Sequence, residues 1–325
     1  MNNNNTPLVS IVLPTYKRAH VLPHAIGSIL AQSYKNIELI IVDDNSPDNT
    51  REVVESFDDP RIHYICNNPN LKLPRALNRG FSLAHGDYLT WTSDDNLFAP
   101  NAIERMVEKL QSYDCDFVYA DYYLFAELDS NNQPIEPMHD RQPSQLQLEK
   151  GNHIGACFMY TRKLYDAVGD YDPELFLVED YDYFIRAAKQ FSFCHIPEPL
   201  YYFRRDDQTL YFSRFCEVKA SDALVRYKNE LISQSDAINI VTALVMRNIE
   251  GLKNPLWRLT YQLIKPVSYR LTNAFKSRCE IDLHKKLTAE IKPILEDFRS
   301  EKVLFAEARD RVVSIINKVT TIVPT

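Results

Sequence analysis

Two pairs of adjacent acidic residues have the types and spacing that cation binding or proton transfer would need. Asp94 and Asp95 follow the apolar run YLTWTS, and Glu179 and Asp180 lie among the aromatic residues of LVEDYDYFIR. One or two carboxylates can bind Mg²⁺ or Mn²⁺, and phosphate oxygens and water then complete the coordination shell. A carboxylate in a partly apolar cleft has a raised pKa and can act as a general base.

Each pair also has a plain structural interpretation. Asp and Asn residues favour turns, so Asp94 and Asp95 could simply end a strand. Acidic residues also favour the first turn of a helix because of the helix dipole, which would explain the acids of 177–186. That explanation leaves the three aromatic residues among those acids unexplained. The elements that position the acidic pairs therefore have to decide between these interpretations.

Strands and helices alternate through the first hundred residues. The four predicted strands are 8–14, 37–46, 61–66 and 87–92. Helical patterns separate them, which predicts a mostly parallel sheet with helices on both faces. Ligands bind beyond the carboxyl ends of such strands. A polar cluster follows each strand, and these clusters are 15–18, 43–46, 67–72 and 93–96. We expect all four to line one crevice, because a turn explanation would have to apply four times independently.

The remaining sequence predicts the second part of this domain and a separate helical region. A strand is expected at 115–125, and the polar, proline-bearing segment 127–150 is expected to form a long loop near the site. From about residue 217 the pattern is helical and contains few turn signals. We therefore expect an α/β domain over 1–216 and an α-helical C-terminal region over 217–325.

Residues 253–286 of the C-terminal region combine eight basic residues with only two acidic ones, and four aromatic residues lie among them. A basic helix that carries aromatic residues is typical of membrane-surface elements. A packing or homodimer segment with a solvated basic face would explain the same pattern, and both interpretations stay open. The apolar spacing across 287–322 predicts one final helix that packs on the rest of the region or on a partner.

The bulk composition is that of an ordinary globular protein and excludes several classes. The chain has 325 residues, of which 45% are hydrophobic and 25% charged, and its net charge of -7 argues against a nucleic-acid partner. The six cysteines are scattered without a CxxC pair, as expected of reduced thiols in a cytosolic protein. The sequence shows neither the pattern of a signal peptide nor a run of apolar residues long enough to span a membrane. We expect a cytoplasmic protein, which would lie at the inner face of the membrane if the basic segment binds lipid.

Glycine-rich phosphate-binding motifs are missing from the sequence. No GxGxxG motif follows the first predicted strand, no P-loop is present, and the whole chain contains seven glycines. A nucleotide phosphate would therefore have to be held in another way. A divalent cation on the carboxylates of Asp94 and Asp95 would serve, and its charge would offset their mutual repulsion.

Four motifs occur in order over roughly residues 7–210, namely VSIVLPTYKR, IELIIVDDNSPDNT, NLKLPRALNRGFSLAHGDYLTWTSDDN and VEDYDYFIR. Together they resemble the inverting nucleotide-sugar glycosyltransferases of family 2, which have the GT-A fold. The resemblance implies a nucleotide-binding sheet joined to an acceptor-binding half. It also implies transfer of a sugar from a nucleotide-diphosphate donor, a UDP-sugar in the first instance, to a hydroxyl of a glycan or lipid-linked acceptor. The usual setting of this family is assembly of bacterial surface polysaccharides.

The resemblance implies a role for each polar cluster on the nucleotide side. Pro14, Thr15 and Tyr16 would line the nucleoside, with Tyr16 stacking near the base. Asp44, and secondarily Asp43, would contact the base edge or the ribose.

Asp94 and Asp95 lie where the family has its DxD motif, and Ser93 replaces the first aspartate of that motif. Asp95 would bind Mn²⁺ or Mg²⁺, and Asp94 would face the ribose. Lys72 stands where many relatives have glycine and would meet the diphosphate as a point charge. A solvated lysine at the entry of a helix is the alternative. Arg18 and Arg75 are further candidates for phosphate contacts, although arginines are common on protein surfaces.

The second acidic pair would carry the chemistry according to the same resemblance. Asp180 would be the general base that takes the proton of the acceptor hydroxyl. The hydroxyl would then attack the anomeric carbon from the face opposite the nucleotide and invert its configuration. Glu179 would hold a hydroxyl of the donor or the acceptor.

Three further residues are expected in the sugar site. Gly155 and Ala156 would form the floor under the sugar, and Asp182 would contribute from the acidic segment while pairing with Arg186. Many relatives have a histidine metal ligand near 198–209. This chain has two aspartates there, at positions 206 and 207, which would be metal ligands or part of a lid.

Two other functions compete with the transferase. A sugar-1-phosphate nucleotidyltransferase would need a glycine-rich phosphate loop after the first strand, and the segment 14–18 contains no glycine. A catalytically degenerate transferase that serves as a binding or scaffold subunit is favoured by Ser93. The presence of Asp95 and Asp180 counts against the scaffold.

Overall fold

The structure is a computed structural model, and it describes residues 6–205, 209–253 and 278–322. The chain divides into two compact units, Met1–Phe212 and Ser213–Thr325. The first unit contains the mixed α/β sheet and the candidate site. The second unit is helical.

The sheet of the first unit has nine strands. They are β1 (Val9–Thr15), β2 (Ile37–Asp43), β3 (Ile62–Cys66), β4 (Tyr88–Trp91), β5 (Leu97–Phe98), β6 (Phe117–Phe125), β7 (Met138–Asp140), β8 (Phe158–Thr161) and β9 (Phe193–Arg204). Their order across the sheet is β3-β2-β1-β4-β8-β6-β9-β5, and β7 pairs with β6 outside this path. This α/β architecture confirms the fold class predicted from the sequence.

Helices lie between the strands of the first unit, and a short last helix follows β9 at the boundary between the two units. They are α1 (Leu22–Leu30), α2 (Thr50–Glu55), α3 (Leu73–Phe81), α4 (Ala102–Ser112), α5 (Arg162–Val168), α6 (Glu179–Ala188) and α7 (Leu210–Ser213). Proline stands in the first turn of α1 and of α3, where a backbone N–H would have no acceptor within the helix. The amphipathic α3 turns Ala76, Leu77 and Phe81 into the core.

The predicted parallel sheet is present in β3, β2, β1 and β4. Every residue of β1 and β2 is buried, which explains why these strands are nearly continuous apolar runs rather than alternating ones. The register pairs Thr15 with Asp43, and Asp43 with Cys66. The polar residues that follow these strands therefore leave the sheet at one edge.

The second half of the sheet brings a different segment to the same edge. Strand β8 is antiparallel to β4, and the Thr90 hydroxyl donates a 2.6 Å hydrogen bond to the Phe158 carbonyl. The start of β8 therefore lies beside the end of β4. Residues 155–157, which precede β8, consequently lie near Asp94 and Asp95, which follow β4.

Two sequence expectations differ from the structure in detail. The segment 127–150, expected to be a loop throughout, contains β7, which pairs with β6. The pattern of residues 46–57 predicts a capped helix with Ser46 or Asp48 near its start, whereas the helix begins at Thr50 and no side chain caps it. Asp48 instead accepts hydrogen bonds from the Thr50 hydroxyl and the Ala19 N–H.

The second unit consists of packed helices in its described part. They are α8 (Phe215–Lys228), α9 (Gln234–Lys253), α10 (Arg278–Arg299) and α11 (Phe305–Ile322). The single helix expected over 287–322 is therefore two helices. Leu287, Ile291 and Leu295 are fully buried, and α10 packs against α9 and α11. Most of the basic segment 253–286 lies outside the described residues, and so do positions 206 and 207.

Among the described residues, no helix combines the length and the apolar character needed to cross a membrane.

Candidate active site

The first acidic pair lies in the link between β4 and β5 and is held from β1. The Thr15 hydroxyl donates a 2.7 Å hydrogen bond to Asp94 Oδ2. Arg18 Nη2 lies 2.5 Å from Asp95 Oδ2, and Arg18 Nε lies 3.8 Å from Asp94 Oδ1. Burial and the neighbouring charge of Asp95 raise the pKa of Asp94 to about 7, although Thr15 and Arg18 oppose this shift. The pair is thus ordered, partly neutralised and positioned by the cluster at 15–18.

The strand β9 supports the main chain of this acidic pair. Arg204 Nε donates to the Asp95 carbonyl at 3.3 Å, and the Arg204 N–H donates to Asn96 Oδ1 at 2.8 Å. Closer to the strand, the Thr92 and Tyr201 hydroxyls share a 2.6 Å hydrogen bond. The sequence analysis missed Arg204, because an arginine at a strand end has no distinguishing local pattern.

The carboxylate oxygens of this pair suit a hard divalent cation whose remaining coordination positions are filled by phosphate oxygens and water. Within the described part of the chain, no group of three or more His, Cys, Asp or Glu side chains converges on a common point. Mg²⁺ and Mn²⁺ do not require such a cage, because one carboxylate, phosphate oxygens and water can complete their coordination. The Asp95 carboxylate has the right chemistry for this arrangement.

Asp43 and Asp44 lie at the end of β2, as expected, but their oxygens have partners within the protein. Asp43 accepts hydrogen bonds from the Ser46 N–H at 2.8 Å and from the Tyr64 hydroxyl at 2.6 Å. It is 3% exposed. This placement argues against a contact of Asp43 with base or ribose. Its carboxylate instead stabilises the turn after β2.

Asp44 organises the loop that leads from β3 to α3. Its Oδ1 accepts from the Asn67 amide at 2.7 Å and from the Leu71 N–H at 2.8 Å, while its Oδ2 accepts from the Lys72 N–H at 2.8 Å. The Asn70 amide also donates to the Asp44 carbonyl at 2.7 Å. The side chain is buried. Asp44 therefore shapes the nucleotide side of the edge through the loop 67–72.

Lys72 has a backbone conformation that side chains rarely adopt. Its φ is 66° and its ψ is 164°, a region occupied almost only by glycine. This explains why a glycine is common at this position in the family that the sequence resembles. The side chain is exposed, and Nζ lies 5.7 Å from the centre of the Phe176 ring. Lys72 at the entry of α3 therefore holds a conformation that costs a non-glycine residue free energy.

The other candidates of the nucleotide side differ in exposure. Pro14 is buried in β1, whereas the Tyr16 ring is exposed and has Lys17 Nζ 5.0 Å from its centre. Arg75 is exposed and pairs with Glu174 at 2.8 Å. Tyr16 is therefore available to stack on a base, while Arg75 already connects α3 to the loop before α6.

The sugar-side residues 155 and 156 precede β8. Gly155 has a φ of +72°, and a Cβ built on it would lie 2.3 Å from Tyr122 Cε1. The position therefore requires glycine both for its backbone conformation and for the close approach to β6. Ala156 packs against the core of the sheet.

The second acidic pair begins α6. Asp180 Oδ1 accepts from the Tyr181 N–H at 2.7 Å, and Asp180 Oδ2 accepts from the Asn152 amide at 2.9 Å. Glu179 is 4% exposed and accepts from the Leu177 N–H at 2.9 Å. Burial and the nearby charge of Asp180 raise the pKa of Glu179 to about 8. The two carboxylates thus have different environments, with Glu179 protonated at neutral pH and Asp180 partly exposed.

Asp182 is buried and has a partner inside the protein. It is 1% exposed, and its Oδ2 accepts a 2.7 Å hydrogen bond from Arg186 Nε. The same guanidinium donates to the carbonyls of Val168 and Asp170. The expected pairing with Arg186 is present, but burial argues against the expected sugar contact. Asp182 connects α6 to the end of α5.

Contacts between loops bring the two halves of the candidate site together. The residues before α6 contact the entry of α3, through Glu174 with Arg75 and through Phe176 with Lys72. The Asp180 carboxylate is joined by Asn152 to the segment that leads to β8, and β8 pairs with β4. The structure therefore gathers the predicted nucleotide, sugar and base residues at one edge of the sheet.

Two features of this region were not found from the sequence. Asn152 would have needed knowledge of the fold to be connected with Asp180. Asp121 is 2% exposed in β6 and accepts from His139 Nε2 at 2.9 Å and His195 Nε2 at 2.8 Å. These contacts join β6, β7 and β9, and only the strand pairing brings the three residues together.

Known proteins with similar sequences agree with this architecture. Residues 10–169 match the model of the family described as glycosyl transferase family 2. A putative colanic acid biosynthesis glycosyl transferase, WcaA of Escherichia coli K12, is 34% identical over 58% of this chain and 68% of its own length. WfgD of Escherichia coli, named as a UDP-Glc:alpha-D-GlcNAc-diphosphoundecaprenol beta-1,3-glucosyltransferase, is 33% identical over 36% of this chain and 46% of its own. The chain also matches an uncharacterized glycosyltransferase of Rickettsia conorii, of which it spans only 40%.

Solved structures show a similar fold. The crystal structure of S. aureus TarS 1-349 in complex with UDP-GlcNAc has a TM-score of 0.53, covering 95% of this chain and 92% of that one at 15% identity. The structure of the same protein in complex with UDP gives a TM-score of 0.52. The order of the motifs, the sheet that positions them and the sequence relatives lead to one assignment. This chain belongs to glycosyl transferase family 2, and its first unit has the GT-A fold.

Proposed function

We propose that this protein is an inverting glycosyltransferase that moves a sugar from a UDP-sugar to an acceptor hydroxyl. The observation that carries the proposal is the environment of Asp180. Its two oxygens are held by Asn152 and by the first turn of α6, and it lies at the same edge of the sheet as Asp94 and Asp95. Membership of glycosyl transferase family 2 supports the same reaction class.

Asp180 would act as the general base. Hydrogen bonds from the Asn152 amide and the Tyr181 N–H favour its ionised form and direct its remaining lone pairs. It would take the proton of the acceptor hydroxyl while that oxygen attacks the anomeric carbon from the face opposite the diphosphate. Glu179 is protonated at neutral pH, so it would donate a hydrogen bond to a sugar or acceptor oxygen rather than compete as a base.

The donor would bind across the ends of β1, β2 and β4. Tyr16 is exposed for stacking on the base, and Lys72 and Arg18 would meet the diphosphate. Asp95 would hold Mn²⁺ or Mg²⁺, and the bound cation would stabilise the charge that develops on the leaving diphosphate. Asp44 accepts hydrogen bonds from Asn67, Leu71 and Lys72, so the loop that carries Lys72 would be positioned before the reaction.

A glycan or lipid-linked acceptor fits the names of two relatives, WcaA of colanic acid biosynthesis and WfgD, whose name gives a diphosphoundecaprenol substrate. We propose that this protein also acts in polysaccharide assembly. The basic segment 253–286 would then contact the membrane or form a homodimer, and both remain proposals because most of that segment lies outside the described residues.

The donor can be identified by calorimetric titration with UDP, GDP, CDP and dTDP, each with Mn²⁺ and with EDTA. We expect UDP to bind in the presence of Mn²⁺ and to bind much more weakly in EDTA. Transfer from the matching UDP-sugar, followed by NMR of the product, should show an anomeric configuration opposite to that of the donor. A product that retains the donor configuration would contradict the inverting reaction.

The rival function is a degenerate scaffold subunit, which Ser93 favours because it removes one carboxylate of the metal motif. Slow hydrolysis of the donor in the absence of acceptor separates the two. A working transferase is expected to hydrolyse its UDP-sugar slowly, and Asp180→Asn should abolish this activity. A protein that binds none of the four nucleotides, with Mn²⁺ or with EDTA, is better described as a scaffold.

A further inference from the structure

Arg18 is the cationic side chain that contacts both members of the first acidic pair. Its guanidinium lies 2.5 Å from Asp95 Oδ2 and 3.8 Å from Asp94 Oδ1. The contact is largely shielded from solvent, because the side chains of Arg18, Asp94 and Asp95 are 18%, 12% and 13% exposed. Charges in such a setting interact more strongly than they would at an open surface.

We propose that Arg18 competes with the divalent cation for the Asp95 carboxylate, so that cation binding is coupled to binding of the nucleotide diphosphate. The inference rests on the proposed function. A cation bound to a carboxylate oxygen lies about 2.1 Å from it. Arg18 already contacts Asp95 Oδ2 at 2.5 Å. Two positive groups on one oxygen repel each other, and therefore each weakens the binding of the other.

The diphosphate removes this competition by giving Arg18 another anionic partner. A guanidinium matches phosphate oxygens with two parallel hydrogen bonds, which a point charge does not. Arg18 lies in the short connection between β1 and α1, and the preceding Lys17 has a φ of 58°. This connection follows directly from Thr15, which holds Asp94. The guanidinium therefore lies beside the carboxylate on which the cation and the diphosphate would meet.

The diphosphate would also supply ligands to the cation. Ser93 replaces one expected carboxylate, and the described residues contain no cluster of three acidic, His or Cys ligands. A cation on Asp95 therefore needs phosphate oxygens to complete its shell. The movement of Arg18 to the diphosphate and the supply of phosphate ligands both make the nucleotide strengthen cation binding. By thermodynamic linkage, the cation then strengthens nucleotide binding by the same factor.

The test measures Mn²⁺ binding by electron paramagnetic resonance of the free ion, with and without UDP. For the native protein we expect weak Mn²⁺ binding alone and a gain of about 50-fold when UDP is present. Arg18→Gln should bind Mn²⁺ alone roughly tenfold more tightly, because the competing charge is gone. The same variant should bind UDP more weakly and show a smaller gain. This one substitution should therefore raise the affinity for Mn²⁺ and lower the affinity for UDP.

Two further variants separate charge competition from a change in folding. Arg18→Lys keeps a positive charge beside Asp95, so its Mn²⁺ affinity without UDP should stay close to the native value. Arg105→Gln removes an arginine of the same type that pairs with Glu108 and Glu198 on α4 and β9, and it should leave both affinities unchanged. Thermal unfolding shows whether each variant is folded.

The possible outcomes distinguish this inference from the proposed function. UDP and Mn²⁺ that bind the native protein independently would overturn the coupling. A folded Arg18→Gln protein with native Mn²⁺ affinity and native coupling would overturn the role of Arg18 while leaving the transferase intact. Failure of UDP, GDP, CDP and dTDP to bind the native protein would instead overturn the proposed function.

Discussion

At the scale of single residues, Asp180 is the proposed general base. Asn152 and the Tyr181 N–H hold both of its oxygens. We expect Asp180→Asn to reduce turnover by about 10²–10⁴-fold, because the amide cannot accept the proton. UDP binding should stay within a few-fold of native, since the residue lies on the acceptor side. Steady-state kinetics and calorimetry measure the two effects, and native turnover in the variant would exclude Asp180 as the base.

Asn152 tests whether the base is tuned as well as positioned. Its amide donates to Asp180 Oδ2 at 2.9 Å, and a hydrogen bond to a carboxylate stabilises the ionised form relative to the neutral one. Asn152→Ala should therefore move the acid limb of the kcat/KM profile to higher pH. Activity at pH 6 should fall more than activity at pH 8. An exposed asparagine in the loop before β7, Asn131→Ala, serves as the control, and a uniform loss at all pH values would indicate a purely structural role.

Lys72 combines a strained backbone with a proposed phosphate contact, so its substitution should change stability and activity in opposite directions. Lys72→Gly should raise the free energy of unfolding by about 1 kcal/mol, because glycine adopts φ 66° and ψ 164° without strain. Turnover should fall roughly tenfold with the loss of the charge. Lys72→Met keeps the strain and loses only the charge, so it should lower activity without stabilising the fold. Urea unfolding and kinetics measure both, and unchanged stability in Lys72→Gly would contradict the strain.

Glu179 should make the protein less stable as the pH rises. Its pKa is raised from 4.5 to about 8 by burial and by the charge of Asp180. Between these values the folded protein holds a proton that the unfolded chain has released, so the free energy of unfolding falls as pH rises through this window. Glu179→Gln should make the decrease in the free energy of unfolding with rising pH smaller by on the order of 1 kcal/mol. Urea unfolding at pH 5 and pH 8 measures it, with the exposed Glu55→Gln as control; equal pH dependence in native and Glu179→Gln protein would contradict the assignment.

At the scale of elements, the junction before β8 depends on a single glycine. Gly155 has a φ of +72°, and any side chain there would meet the Tyr122 ring of β6. Gly155→Ala should lower the free energy of unfolding by about 2–4 kcal/mol, through backbone strain and overpacking together. Gly169→Ala is a matched control, because that glycine has a φ of +79° but open space around it. The difference between the urea midpoints of the two variants measures the cost of the steric clash with Tyr122. Equal losses of stability in the two variants would show that Tyr122 can move aside.

The strands show how far elements can be predicted from their own residues. The parallel strands β1 to β4 were predicted because their apolar runs are local and end in polar residues. Strands β7, β8 and β9 were not delimited, because their pairing joins residues far apart in sequence, such as Tyr123 with His139 and Val118 with Cys194. The contacts of Asp121 with two histidines depend on that pairing and were missed for the same reason.

At the scale of the whole molecule, the sequence predicted which residues gather at the site better than it predicted what each one contacts. Asp94, Asp95, Lys72 and Asp180 lie at the edge where they were expected. Asp43 and Asp182 were assigned ligand contacts because a sequence shows charge but not burial, and the structure gives both of them internal partners. Patterns along a chain report the type of a residue, whereas the direction of its side chain depends on the packing around it.

The three hydrogen bonds that Asp44 accepts from Asn67, Leu71 and Lys72 limit how this protein could be redesigned for another donor. Asp44 is the obvious position to alter if a different nucleobase is wanted, but its carboxylate also determines the course of the loop 67–72. Most variants in a library that changes Asp44 would therefore lose the conformation of the loop 67–72. Tyr16 is the better starting point, because its exposed ring can be exchanged without removing a partner from the main chain of that loop.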